Sequence, residues 1–154
     1  MSKNLKILIA DDMNKIAEDN KNIISQNPNV YIVGIASNGQ EEIEMILKLN
    51  PDLVITDNKM PIMNGIEVVE KINNMVLENK PDFILFTGDY SSELNRKCKE
   101  LGVYMILDKL TGRENLLNVI DDYIRIFYKN PNNISNNKNV KLSFFDKIKN
   151  KLRK

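Results

Sequence analysis

The chain has no histidine and no tryptophan, a single cysteine and no apolar run near the roughly 20 residues that a membrane span needs. Without histidine there is no Ser-His-Asp or Cys-His activation of a nucleophile, no imidazole acid-base chemistry, no self-phosphorylating histidine and no His-containing zinc site. Cys98 alone excludes an intramolecular disulfide and a Cys-x-x-Cys motif. No charged leader followed by an apolar segment opens at Met1, so the expected compartment is the reducing cytoplasm. Carboxylates, hydroxyls and lysines are left to carry any chemistry.

What is present is the composition of a soluble globular domain, 154 residues with 42% hydrophobic and 28% charged side chains. The net charge of +1 averages two unlike pieces: residues 138–154 hold seven Lys and Arg against Asp146, a net +6, whereas residues 1–137 carry 15 basic and 20 acidic groups, a net −5. The expected organisation is a domain over 1–129, an Asn-rich linker over 130–139 and a basic amphipathic tail over 140–154. In the tail, Leu142, Phe145, Ile148 and Leu152 share a broad helical arc interrupted by Lys149. Such an end lies on an anionic membrane or partner, or binds phosphates non-specifically, or stays disordered, or folds back on the acidic domain. It is too short for a winged-helix or helix-turn-helix output domain, which argues against sequence-specific DNA binding.

Five short apolar runs, at 5–10, 30–36, 53–56, 83–86 and 104–107, alternate with helical periodicities. The helical stripes are Ile16, Ile23 and Ile24; Ile43, Ile46 and Leu47; Val68, Val69, Ile72, Met75 and Val76; Leu94, Cys98 and Leu101; and Leu116, Leu117, Ile120, Ile124 and Phe127. This (βα)5 pattern predicts an α/β fold, a doubly wound, five-stranded parallel sheet; of the two strand orders open at this length, the flavodoxin-like 2-1-3-4-5 is the one expected. Ligands of such sheets bind outside the carboxyl ends of the strands, at the switch between the first and third.

At those ends stand Asp11 and Asp12, Asp57, Thr87 and Lys109. Carboxylates gathered on one rim repel, and a hard cation such as Mg2+ relieves that repulsion. A carboxylate attacks phosphoryl donors when a cation and a lysine neutralise the phosphoryl oxygens, and Asp57 is the best placed nucleophile. Each residue also has a structural explanation: Asp12 as N-cap of the first helix, Asn64 as cap of the third, Thr87-Gly88 as a turn, Lys109 as a solvated charge. All five at the correct strand ends favour the joint reading.

The stretch Asp57-Asn58-Lys59-Met60-Pro61-Ile62-Met63-Asn64-Gly65 resembles the phosphoacceptor loop of response-regulator receiver domains, in the form Asp-x-x-Met-Pro-x-Met-x-Gly. The acidic pair, Thr87 with Gly88, and Lys109 follow in the family's order, and the resemblance spans residues 4–128. It implies that a sensor histidine kinase or phosphotransfer protein phosphorylates Asp57. It also implies that Asp11, Asp12, Asp57 and the backbone carbonyl of Lys59 hold Mg2+, and that Thr87 and Lys109 bind the phosphoryl group. The implied output is contact with a downstream protein through the fourth helix, fifth strand and fifth helix, with no catalysis beyond the domain's own phosphoryl transfer and dephosphorylation.

Three positions depart from the family pattern. Ile106 stands where an aromatic commonly reports the threonine's movement; Tyr104, expected on the same strand face, either substitutes for it or leaves Ile106 simply to fill the site. Leu110 replaces a cis-proline, so Lys109–Leu110 is expected to be trans. Lys59 puts a cation at the pocket mouth and is expected to alter the phosphoryl lifetime. Ile106 and Leu110 keep open the alternative of a non-phosphorylated pseudo-receiver acting as an interaction scaffold. A flavodoxin-like redox protein is disfavoured, because Asp11-Asp12-Met13 would repel a flavin phosphate.

Overall fold

The computed structural model describes residues 4–128, so the linker and tail expected from the sequence lie outside the described residues. Five strands, β1 (Leu5–Ala10), β2 (Val30–Ala36), β3 (Leu53–Thr56), β4 (Asp82–Thr87) and β5 (Met105–Asp108), form one sheet in the order β2-β1-β3-β4-β5. Every neighbouring pair is parallel. The connecting helices are α1 (Asn14–Ile24), α2 (Gly39–Leu49), α3 (Gly65–Asn74), α4 (Ser92–Leu101) and α5 (Arg113–Tyr123), the last running into a π-helical turn over Ile124–Tyr128. The doubly wound 2-1-3-4-5 sheet expected from the sequence is the observed fold.

Strand side chains alternate between two apolar layers, as a period of two requires. Leu5, Ile7, Ile9, Leu53, Ile55, Ile84 and Phe86 pack with Ala17 and Ile24 of α1 and Leu116, Val119 and Ile120 of α5. Leu8, Val54, Phe83 and Leu85 pack with Ile43 and Ile46 of α2, Val68, Val69 and Ile72 of α3, and Cys98 of α4. Burial pushes the Cys98 thiol up to about 11, which leaves it a packing group and not a nucleophile.

Two assignments to the helical stripes are corrected. Leu47 is exposed, because the buried arc of α2 runs through Glu42, Ile43 and Ile46. Val76 is fully exposed because α3 ends at Asn74, two residues before it.

Tyr104 does not share a face with Ile106. It precedes β5, where the alternation breaks, and it packs with Met105 and Leu107 in the α1–α5 layer, while Ile106 faces the opposite layer. There the Tyr104 ring meets Tyr123 edge-on, at a centroid distance of 5.1 Å. Tyr104 therefore offers no substitute for an aromatic at position 106, which Ile106 fills as a half-buried aliphatic.

Candidate functional site

The sheet ladder continues one step past the strands and sets the rim residues in register. Asp11 N–H donates to Ala36 O (3.0 Å), Asp57 N–H to Ala10 O (2.9 Å) and Lys109 N–H to Thr87 O (3.0 Å). Asp11 and Asp57 thus leave neighbouring strands at the same level, while Thr87 closes β4 one residue beyond that level and Lys109 follows β5 two residues beyond it.

Asp11 and Asp57 are 3% and 5% exposed, so their charges need partners. The Lys109 ammonium lies 2.8 Å from Asp11 Oδ2 and 2.8 Å from Asp57 Oδ2. The remaining oxygens accept backbone donors: Asp11 Oδ1 from Met13 N–H at 2.9 Å, and Asp57 Oδ1 from Lys59 N–H at 3.2 Å. Asp12 is exposed beside them, and one oxygen from each of Asp11, Asp12 and Asp57 lies within 4.8 Å of the other two.

One cation shared by two buried carboxylates does not balance them. Burial raises the Asp11 carboxyl above its ordinary range, against the opposing bonds from Lys109 and Met13 N–H, with the Asp57 charge adding to the rise. Burial also works against the Lys109 charge, but its bonds to Asp11 and Asp57 outweigh that and hold the ammonium above its usual value. Three carboxylates, Asp11, Asp12 and Asp57, face the single Lys109 ammonium. The excess is negative, and an all-oxygen donor set with negative excess fits a hard divalent cation such as Mg2+.

Asp12 does not cap α1. The helix begins at Asn14 after Met13, which makes no side-chain cap, and it is Asp11 that accepts the Met13 N–H, leaving the Asp12 carboxylate free to face the site. Asn64 does cap α3, through a reciprocal capping box with Glu67: Asn64 Oδ1 accepts Glu67 N–H at 2.8 Å and Asn64 N–H donates to Glu67 Oε1 at 3.3 Å.

In the loop from 57 to 65 the sequence marks Gly65 only as the end of its motif and assigns no role to Asn58 or Ile62. Asn58 ties the loop to α3, accepting Gly65 N–H on its carbonyl and Ile66 N–H on its side chain, each at 3.1 Å. Gly65 is required because a Cβ there would stand 2.5 Å from the Asp57 carbonyl oxygen. Ile62 takes φ of 72° at the centre of a three-residue turn closed by Met63 N–H to Pro61 O at 2.8 Å, a conformation that strains a β-branched residue.

Thr87 is fully buried, and its hydroxyl oxygen accepts Asp89 N–H at 3.2 Å. The turn expected at Thr87-Gly88 is therefore present. The Lys59 side chain is exposed, and its backbone N–H is what reaches Asp57. Every described peptide bond is trans, Lys109–Leu110 included, and Asp108 Oδ1 closes that loop by accepting Leu110 N–H at 2.7 Å. Beneath the rim a further ionisable residue is hidden, Glu42, bonded to Thr56. Its only sequence signal is its place on the apolar arc of α2.

The family model described as response regulator receiver domain matches residues 7–121. A protein-glutamate methylesterase/protein-glutamine glutaminase of Pseudoalteromonas atlantica is 49% identical over 67 residues, 44% of this chain and 18% of the relative. A second protein of that description, from Methanosarcina acetivorans, is 27% identical over 111 residues, 70% of this chain and 30% of the relative. The chain thus matches less than a third of the length of these curated relatives. Among solved structures, the N-terminal domain of an uncharacterized protein from Wolinella succinogenes is 31% identical with a TM-score of 0.68, covering 79% of this chain and 95% of that one. The response regulator domain of Thermotoga maritima CheB shares the fold at 22% identity with a TM-score of 0.70, covering 80% and 95%.

Proposed function

The chain belongs to the response regulator receiver domain family, and on that premise we propose that it is a phosphorylation-dependent switch with Asp57 as the phosphoacceptor. The observation that carries this reading is the Lys109 ammonium at 2.8 Å from both Asp57 and Asp11, with Asp12 within reach of the same point. An Asp57 carboxylate oxygen attacks the phosphorus of a partner's phosphohistidine, the phosphorus–nitrogen bond breaks, and an acyl phosphate forms. Asp11, Asp12, Asp57 and the Lys59 backbone carbonyl would hold Mg2+, which supplies neutralising charge for the phosphoryl oxygens. Lys109 follows the Asp57 oxygen onto the phosphoryl group, and the Thr87 hydroxyl turns its proton towards it.

The donor on this reading is a sensor histidine kinase or phosphotransfer protein, since the chain has no histidine. The output is contact with a downstream protein through α4, β5 and α5, biased by the move of Thr87 and Lys109. Methylesterase and glutaminase activities are named for the relatives; for this chain we propose only its own phosphoryl transfer and dephosphorylation, in the cytoplasm. The basic end at 140–154, joined through 130–139 to the domain at 1–129, is proposed to contact an anionic membrane or partner and not a specific DNA sequence.

Intact mass after incubation with Mg2+ and a small acyl-phosphate donor tests the reading. One phosphoryl adduct that requires Mg2+ and disappears in Asp57→Ala is expected. No adduct, under conditions that label a known receiver, would replace this reading with that of the pseudo-receiver scaffold.

A further inference from the structure

Glu42, in the first turn of α2, is fully buried, as is Thr56 at the end of β3. The Thr56 hydroxyl oxygen lies 3.0 Å from Glu42 Oε2 and 3.1 Å from the backbone carbonyl oxygen of Asp57. Glu42 Oε1 is buried with no hydrogen-bond partner among the described residues.

Counting protons decides how these atoms pair. A hydroxyl has one hydrogen to give, and a backbone carbonyl only accepts. Were Glu42 ionised, Thr56 would face two acceptors with one hydrogen, leaving either the Asp57 carbonyl or a buried charge short, and Oε1 would be half of an unpaired carboxylate. A neutral Glu42 resolves both conflicts: its O–H donates to Thr56 Oγ1, the Thr56 O–H donates to Asp57 O, and the orphan Oε1 belongs to an uncharged group whose desolvation costs far less. Burial pushes the Glu42 carboxyl well above the ordinary carboxylate range, and the bond from the Thr56 hydroxyl only partly opposes this.

We propose that Glu42 is a positioning residue for the phosphoacceptor, a neutral carboxylic acid that holds the Thr56 hydroxyl on the carbonyl of Asp57. The Asp57 residue is then gripped on both sides, its N–H by Ala10 O at 2.9 Å and its carbonyl by the Thr56 relay. The Gly65 backbone approaches that carbonyl so closely that a Cβ there would stand 2.5 Å from its oxygen. Because the side chain pivots on this backbone, the grip sets the direction in which the carboxylate meets its donor. The inference rests on the reading of Asp57 as phosphoacceptor.

The test follows the rate of phosphoryl uptake from a small acyl phosphate in full-length protein with Mg2+, and the infrared spectrum of the unphosphorylated protein. Thr56→Val, nearly isosteric, and Glu42→Leu are expected to lower the saturating rate on the order of tenfold with the half-saturating donor concentration unchanged. Thr56→Ser and Glu42→Gln, which keep a neutral donor in place, are expected to stay within about twofold. A protonated carboxylic acid C=O band should be present at neutral pH and absent in Glu42→Gln. Should Glu42→Leu not fold, Thr56→Val and the band carry the decision. Wild-type rates in Thr56→Val, an equal loss in Glu42→Gln and Glu42→Leu, or a missing band would each overturn the proposal. A wild-type protein that takes up no phosphoryl group removes the phosphoacceptor premise and the positioning role with it, whereas the band alone still decides whether Glu42 keeps its proton.

Discussion

Lys109 Nζ lies 2.8 Å from Asp57 Oδ2 across 52 residues of sequence, and the same ammonium bonds Asp11 at the same distance. Removing it strands two nearly buried carboxylates. Lys109→Met should cost about 2 kcal/mol of stability without divalent cations, less than a fully buried pair because each aspartate keeps a backbone donor. Mg2+ should then raise the Tm of the variant more than that of the wild type, since it meets more uncompensated charge. Thermal melts with and without Mg2+ check both statements; equal melting in the absence of metal would show that Lys109 does not stabilise the pocket.

Glu42 makes stability depend on pH in a defined direction. Its folded value is raised well above the 4.5 of the free group, so between the two the folded chain keeps a proton that the unfolded chain has released. Stability therefore falls as pH rises through that window. Glu42→Gln has no such proton, and the other carboxyls are common to both proteins. The Tm of Glu42→Gln relative to wild type should climb as pH rises above the ordinary carboxylate range; a flat difference would mean that Glu42 is ionised in the fold.

Gly65→Ala places a Cβ 2.5 Å from the Asp57 carbonyl oxygen, a backbone atom already pinned by Thr56. Either the loop or α3 has to shift, at about 1–3 kcal/mol. Urea denaturation should show the loss, and phosphoryl uptake should slow with it. Retention of both would mean that the loop yields freely.

Lys59→Ala separates side chain from backbone. The exposed ammonium is lost while the Lys59 N–H to Asp57 Oδ1 bond remains, so stability should stay within about 0.5 kcal/mol. On the phosphoacceptor reading the lifetime of phospho-Asp57 should nevertheless change, because an exposed positive charge two residues from Asp57 is removed. Dephosphorylation followed by mass decides; an unaltered rate makes the side chain a bystander.

Local patterns made much of the molecule legible. The limits of β1, β2 and β3 follow from mainly apolar runs that stop at polar residues, and the cap of α3 from Asn64. Placement at strand ends was enough to select Asp11, Asp12, Asp57, Thr87 and Lys109, because a parallel sheet delivers all its carboxyl ends to one edge. Periodicity failed where it was asked to count only apolar residues. Glu42 occupies a core position of α2 and Thr56 one of β3, yet a polar side chain on an apolar arc looks like a gap until its partner is found. Tyr104 misled for a related reason, since alternation holds only inside a strand and Tyr104 lies just before one.

The order of apolar and polar residues along the chain by itself determined the (βα)5 alternation and the set of rim residues, because these depend on interactions repeated every two or 3.6 positions, while the choice between the two strand orders open at this length was settled by strand pairing. Only the tertiary structure decided that one ammonium serves both Asp11 and Asp57 and that the buried Glu42 carboxyl stands against Thr56, behind Asp57. These are pairings between residues 14 to nearly 100 positions apart. Such contacts are set by strand register and helix packing, and no local periodicity encodes them.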